Sequence, residues 1–289
     1  MSDTDTTFVF DPEGEIWLPQ HTFSIPNRGV NYGDGVFETM VYDGQQIKFL
    51  NEHQARLAYG LDTLGISKSK ISIQRLSDFL NHHFKGQKLR VRWTIFRSGL
   101  GKYTPIENDS AQILTIEPFV AASLLKRKSG VSEQVSLSFS SWSRCKTLNA
   151  IPYVIAGLER QHKGWDEIIL LDHRGNVSEA GASSIFWEKS GVIYTPSLSC
   201  GCIAGVSRAV IIEKLKQAGI PFIEGDFVLG EILAAEKVWT SNVTGVSYLE
   251  SIGSSKFSFM ITVDLTNNPL KPITSTFSFS AASIIELIG

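Results

Sequence analysis

The chain has 289 residues, and its 27 Lys and Arg against 29 Asp and Glu leave a formal net charge of −2, which argues against a surface built to bind nucleic acid or another polyanion. Hydrophobic residues make up 43% and charged residues 19%, with 17 Phe and 6 Trp: ample apolar material for a core, and no case for global disorder. Cys145, Cys200 and Cys202 are too few and too unevenly placed for a disulfide framework, and no second Cys or His pair completes a zinc site with the last two, so reduced thiols of a cytoplasmic protein are expected. Residues 1–15 are acidic and lack the basic start and apolar run of a secretory signal, and no stretch approaches the roughly 18–20 apolar residues of a membrane span.

In chain order, residues 37–42 read as a strand, Asp43-Gly44 as a turn and residues 47–50 as the returning strand of a hairpin. A helix follows with Asn51 as N-cap, Leu57, Leu61 and Leu64 on one face, and an end near Gly65. Residues 71–84 carry Ile73, Leu76, Phe79 and Leu80 at helical spacing. Residues 89–97 alternate as a strand, with 112–116 as its antiparallel neighbour. These pieces form a smaller N-terminal α/β domain over residues 1–118, and the weakly patterned residues 119–134 are expected to link it to a larger C-terminal α/β domain over 135–289. In that second domain a strand at 135–139 precedes a helix at 152–162 with Val154, Ile155 and Leu158 on one face; Pro152 is tolerable in its first turn. A strand at 167–172, a turn at 173–176, a hairpin over 184–194 around Ser190-Gly191, a helix opening at Gly205 and closing at Gly219, and a strand at 237–240 leading into a Ser241-Asn242 turn complete the pattern. The tail after Lys256 carries no legible pattern.

No metal cluster emerges from the six scattered histidines, and His82 and His83, adjacent on a helix, cannot both face one ion. The phosphate-loop, dinucleotide-binding and serine-elbow signatures are absent; Gly33-Asp34-Gly35 precedes a strand where a dinucleotide motif would open a helix. Two features have anion-binding physics. At 204–208 (Ala-Gly-Val-Ser-Arg) unpaired N–H groups, the helix dipole and a hydroxyl converge at a helix start, which suits either a phosphate or a plain cap. Ser241-Asn242 can donate to a phosphate or simply turn the chain. Lys146, with Arg144 nearby in sequence, has the makings of an activated amine if both desolvation and like charge disfavour its ammonium, although most lysines are solvated. Glu179, among small uncharged residues at 175–184, is either a buried carboxylate needing a cation or a turn residue in water.

Residues 27–39 (NRGVNYGDGVFET), 49–57 (FLNEHQARL), 146–149 (KTLN), 176–181 (NVSEAG) and 205–208 (GVSR), in this order, resemble the class IV aminotransferases, the pyridoxal-phosphate enzymes of fold type IV that include branched-chain and D-amino acid aminotransferases and aminodeoxychorismate lyases. The resemblance runs from residue 27 to about 250. It implies an α+β, two-domain, D-amino acid aminotransferase-like fold; a pyridoxal 5'-phosphate cofactor; Lys146 as the residue that forms the internal aldimine and moves the proton; and Glu179 opposite the pyridine nitrogen. It places the cofactor phosphate on Arg56, Val206, Ser207, Ser241 and Asn242, where Asn242 stands in place of the usual Thr. Tyr32 and Phe37 would line the pocket, and Arg97 or Arg92 would read the substrate carboxylate. Ala150 and Val41 replace the Tyr and Arg of the L-branched-chain enzymes. The implied activity is amino-group transfer between an amino acid and a 2-oxo acid by a homodimer. The alternatives are an aminodeoxychorismate lyase releasing pyruvate and a non-catalytic member of the fold.

Overall fold

A computed structural model describes residues 6–19 and 27–258. Contacts divide the chain into two compact units: the described residues up to Ala121 with Ser138–Val154, and Ala122–Leu137 with the described residues from Ile155 onward. This division differs from the sequence-based one in placing the Lys146 segment with the first unit. The expected link at 119–134 also carries strand structure.

In the first unit, strands β1 (Thr6–Asp11) and β2 (Ile16–Pro19), helix α1 (Arg28–Tyr32), strand β3 (Gly35–Tyr42), helices α2 (Leu50–Leu64) and α3 (Ile73–His83), and strands β4 (Leu89–Arg97) and β5 (Ser110–Pro118) follow in order. The five strands form one sheet in the order β2-β1-β5-β4-β3, antiparallel throughout. Alternation along β3 and β4 sends Val36, Met40, Val91, Trp93 and Ile95 to an inner face, where they form one core with Leu57 and Leu61 of α2 and Leu76 and Leu80 of α3. Phe37, Thr39, Arg90, Arg92 and Thr94 occupy the alternate positions, on the outer face.

Two local expectations are corrected. Residues 47–50 do not return as a strand: only Tyr42 bridges Ile47, because Asp43 Oδ1 accepts from the amides of Gln45 and Gln46 at 2.9 Å each and Leu50 already begins α2. Asn51 therefore lies inside α2. The cap position belongs to Phe49, at φ 55° with no side-chain cap, while Gly65 closes the helix at φ 64°, a left-handed conformation that suits glycine.

The second unit comprises β6 (Leu125–Lys126), β7 (Ser129–Leu137), β8 (Glu167–Asp172), β9 (Val177–Ala180), β10 (Ser184–Lys189), β11 (Val192–Pro196), α5 (Val206–Gln217), β12 (Phe222–Gly225), the short helix α6 (Leu229–Leu233), β13 (Lys237–Asn242), β14 (Gly245–Leu249), β15 (Ser251–Ile252) and β16 (Ser255–Lys256); helix α4 (Ile151–His162) precedes β8. The strands make a six-stranded sheet, β12-β11-β10-β13-β14-β6, and a five-stranded sheet, β16-β15-β7-β8-β9. Ile169, Val177, Ile185, Trp187, Val238 and Leu249 form a core that draws on both sheets. The strand expected at 135–139 begins earlier, at Ser129, because it pairs in parallel with β8 from Ser129↔Glu167 onward. Ser241 and Asn242 are corrected from turn to strand, since they pair with Val246 and Gly245 of β14. No described helix is long and apolar enough to cross a membrane. Most of the tail after Lys256 lies outside the described residues.

Helix α4 does not bury the face that its periodicity suggests. Ala156 and Glu159 are buried, whereas Ile151, Val154 and Leu158 are 60%, 54% and 62% exposed. Glu159 explains the inversion: its carboxylate accepts from Ser132 Oγ at 2.5 Å and from the Glu133 amide at 2.8 Å, anchoring the helix to β7 by a polar contact.

Candidate active site

Lys146 is positioned by strand pairing. Val36 bridges Thr147 in antiparallel fashion, the Phe37 amide donates to the Lys146 carbonyl at 2.9 Å, and the Leu148 amide donates to that of Gly35 at 2.9 Å, so residues 146–148 extend the sheet beyond β3. Alternation then places the Lys146 side chain on the face of Phe37. Its Nζ lies 4.6 Å from the Phe37 ring centroid, and the Arg92 guanidinium carbon lies 3.7 Å from the same centroid. Arg92 is half-buried, and burial first, then the charge of Arg90, lowers its pKa from the ordinary arginine value. Arg90 has its own partner in Glu117. The cation expected beside Lys146, Arg144, stacks over Tyr59 at 4.6 Å instead. Tyr32, at the end of α1, is exposed and carries the Arg28 guanidinium 4.9 Å above its ring.

On the inner face, Glu38 of β3 meets two residues of α2 that lie three positions apart and so point the same way. Arg56 donates to Glu38 through Nε (2.8 Å) and Nη2 (2.5 Å), and His53 Nδ1 lies 2.6 Å from Oε2. Burial alone would raise the Glu38 carboxyl, but the charge and hydrogen bonds of Arg56, helped by His53, outweigh it and hold the carboxyl below its usual value of 4.5. Neither Glu38 nor His53 was assigned a role from the sequence. The signal was there: a carboxylate at a core-facing strand position, followed by a His and an Arg on one helix face.

Arg97 also falls on the inner face, in step with Trp93 and Ile95, and is 5% exposed. Its Nε donates to Asp34 Oδ2 at 2.9 Å, Nη1 to the Gly65 carbonyl at 2.9 Å and to Asn108, and Nη2 to Asp34 and the Leu64 carbonyl. All of its N–H donors are thus engaged within the first unit. The carboxylate-reading role expected for it does not fit this geometry: Arg97 ties the ends of α2 and β4 together. Asp34 is shared with Arg28 at 2.8 Å, and Arg28 in turn donates to the Lys102 carbonyl at 2.6 Å, fixing the loop after β4.

In the second unit, Glu179 lies on β9 and is 4% exposed. It accepts from the Ile203 amide at 3.3 Å. Its charge adds to burial in pushing the neighbouring Cys202 thiol up to about 12. Val206 and Ser207 open α5, where the first N–H groups have no partner within the helix. Ser207 Oγ and Ser241 Oγ, 2% and 1% exposed as residues, lie 3.3 Å apart, so two hydroxyls and a helix N-terminus converge. Gly205 permits this approach: a Cβ there would stand 2.5 Å from Ser184 Oγ. Asn242 is otherwise occupied. Its Nδ2 donates to Ser183 Oγ at 3.0 Å and its Oδ1 accepts from the Thr244 amide at 2.8 Å and hydroxyl at 2.6 Å, which organises the hairpin and leaves the expected phosphate contact without support.

A family model described as amino-transferase class IV matches residues 35–252. Aminodeoxychorismate lyase of Bacillus subtilis is 31% identical over 238 residues, covering 80% of each chain. D-alanine aminotransferase of Listeria innocua is 29% identical over 233 residues, covering 77% of this chain and 79% of that one. The crystal structure of Escherichia coli branched-chain amino acid aminotransferase aligns with a TM-score of 0.78 at 22% identity over 88% of both chains. The fold is the mixed α and β fold type IV architecture expected from the sequence.

Proposed function

The chain belongs to the class IV aminotransferase family, and on that premise we propose that it moves an amino group between an amino acid and a 2-oxo acid. Pyridoxal 5'-phosphate is the cofactor. The donor set fits it: a lysine amine for an aldehyde, a buried carboxylate for a pyridinium nitrogen, and two buried hydroxyls at a helix N-terminus for a phosphate. When bound, it supplies a ring that withdraws electrons from the substrate α-carbon.

The observation that carries the reading is the placement of Lys146 Nζ and the Arg92 guanidinium around one ring, 4.6 and 3.7 Å from the Phe37 centroid. An α-amino acid needs both: an amine that engages the cofactor and then shuttles the α-proton, and a cation that orients the carboxylate. In the second unit Glu179 would hold a proton on the ring nitrogen, and Ser207, Ser241 and the first amides of α5 would bind the phosphate; in the first unit Arg56 would serve the phosphate and Phe37 would wall the ring. Arg92, unlike Arg97, has no carboxylate partner among the described residues, which supports it as the carboxylate reader.

Partner contact is proposed for the exposed stripe Ile151, Val154, Ile155 and Leu158 of α4, with a second copy of this chain as the occupant. Burying each such side chain is worth about 1.5–3 kcal/mol. Sedimentation at micromolar concentration is expected to give a dimer for the native chain and a monomer for Leu158→Asp.

The activity test incubates cofactor-loaded protein with a panel of L- and D-amino acids and 2-oxoglutarate, and separately with aminodeoxychorismate. Amine transfer without pyruvate release from the second substrate supports the aminotransferase reading. Pyruvate release without amine transfer replaces it with the lyase, an activity found among the relatives. Neither product leaves the non-catalytic alternative.

A further inference from the structure

Strand parity puts Arg90 and Arg92 of β4 on the same outer face, two positions and so about 7 Å apart along the strand. Across the sheet Arg92 stands opposite Thr39 of β3 and Thr115 of β5, which carry no charge, whereas Arg90 stands opposite Val41 and Glu117. The Glu117 carboxylate pairs with Arg90, and each of these side chains is 35% exposed, so the pair is open to a solute. A cross-strand pair of opposite charges adds a little stability wherever it occurs, and that alone would account for it. Its position adds a second consequence. The charge of Arg90 is felt at Arg92, where it comes next after burial among the causes of that arginine's lowered pKa, so an anion resting on Arg92 feels the neighbouring pair as well. With Glu117 in place, the two arginines and the carboxylate sum to one positive charge; without it they sum to two.

We propose that Glu117 is a specificity-determining residue: by neutralising Arg90 it leaves this face matched to a single carboxylate, and so selects amino acids and 2-oxo acids whose side chains carry no negative charge. The proposal rests on the assignment of Arg92 to the substrate carboxylate given above. In a five-carbon dicarboxylic amino acid the two carboxylate carbons stand about 5 Å apart when the chain is extended, so a second carboxylate stays within range of the pair once the first is seated on Arg92. Glu117 then repels it, and Arg90 is already paired. Rejection by a fixed like charge needs no contact with the favoured substrate. The same molecule with an amide in place of the second carboxylate meets no such repulsion. A preference of about tenfold leaves 2-oxoglutarate usable as an acceptor at high concentration.

The test follows the half-reaction of the cofactor-loaded, full-length enzyme with glutamine and with glutamate, in the enantiomer that the native chain uses, by the change in cofactor absorbance. The two substrates differ only by an amide for a carboxylate. The native chain should favour glutamine about tenfold, the effect of one charge at this separation and exposure. Glu117→Gln should raise the glutamate-to-glutamine rate ratio about tenfold, and Glu117→Asp, which keeps the charge, should hold the ratio near its native value. A merely structural pair would shift both substrates together and leave the ratio unmoved. Glutarate and its monoamide, which lack the amine and cannot react, should show the same order of affinity in calorimetric titration of the same proteins. A native chain that favours glutamate and glutarate would mean that Arg90 exchanges Glu117 for the second carboxylate, and would overturn the proposal, as would a ratio unchanged in Glu117→Gln. Arg92→Ala separates the two levels. If it slows glutamine no more than the amine that lacks the α-carboxylate, or if the native chain neither acts on nor binds any of the four compounds, the assignment of Arg92 fails and takes the proposal with it; if that assignment holds while Glu117→Gln keeps the native ratio, only the role of Glu117 fails.

Discussion

The two faces of strands β3 and β4 handle charge in opposite ways. On the inner face, Glu38 and Arg97 each meet side chains of opposite charge, Arg56 and Asp34. On the outer face, Arg92 and Lys146 share an aromatic ring, and Arg92 has neither a carboxylate nor a carbonyl partner among the described residues. A matched buried ion holds geometry, because breaking it strands the partner charge. A half-buried cation without a carboxylate partner is disfavoured until an anion arrives, and such a place suits a substrate carboxylate. One residue of strand parity separates these outcomes: Arg97 and Arg92 lie on the same strand and are chemically identical, yet one is a strut and the other faces the proposed substrate.

The sharpest way to break this contrast is at Lys146. Lys146→Ala should lower amine transfer by at least about 10²–10⁴-fold, the range for losing a positioned acid and base, without lowering the melting temperature of the apoprotein. A variant that both unfolds early and loses activity would make Lys146 a structural residue. Next in size, Arg97→Ala should cost about 3–5 kcal/mol in the unfolding of the first unit, as Asp34 and two helix-end carbonyls lose their donor; chemical denaturation followed by tryptophan fluorescence reports it. Arg92→Ala should do the reverse, changing stability by about 1 kcal/mol or less and raising KM for amino acids about tenfold or more, as measured by initial rates.

The smallest effect concerns acid. Glu38 is held below its usual value of 4.5 despite complete burial, so it binds its proton less readily when folded than when unfolded. Its contribution to stability is therefore complete at neutral pH and is lost as the pH falls below about 4.5 and through the lowered value. The stability gap between the native chain and Glu38→Gln should be constant above that window and shrink below it. A gap independent of pH would mean that Glu38 binds its proton equally well folded and unfolded, and would contradict the lowering by Arg56.

Periodicity made α2, α3 and the β4–β5 pair legible, because their apolar residues repeat at the spacing of the element and Gly65 closes α2. It misjudged α4 for a physical reason: spacing tells which residues share a face, not what covers that face, and a buried Glu159 anchors the opposite side. Ser241 and Asn242 looked like a turn because polar residues usually are, whereas pairing with β14 carries the strand through them. In the site, the motif residues drew attention to Lys146, Arg56, Glu179 and Ser207. The parity that separates Arg97 from Arg92 was also present in the sequence, since Trp93, Ile95 and Arg97 share one face. What no sequence pattern supplied was the saturation of Arg97 by Asp34, Asn108 and two carbonyls, which lie 11 to 63 positions away along the chain and meet it only once folded.

The most direct measurement compares an amino acid with the amine that lacks its carboxylate, in the half-reaction of the cofactor-loaded enzyme, for the native chain and for Arg92→Ala. Amine transfer by the native chain should favour the amino acid, and Arg92→Ala should slow the amino acid about tenfold or more while leaving the amine unchanged. Equal slowing of both substrates, or no 2-oxo acid from any amino acid with the native chain, would contradict the account.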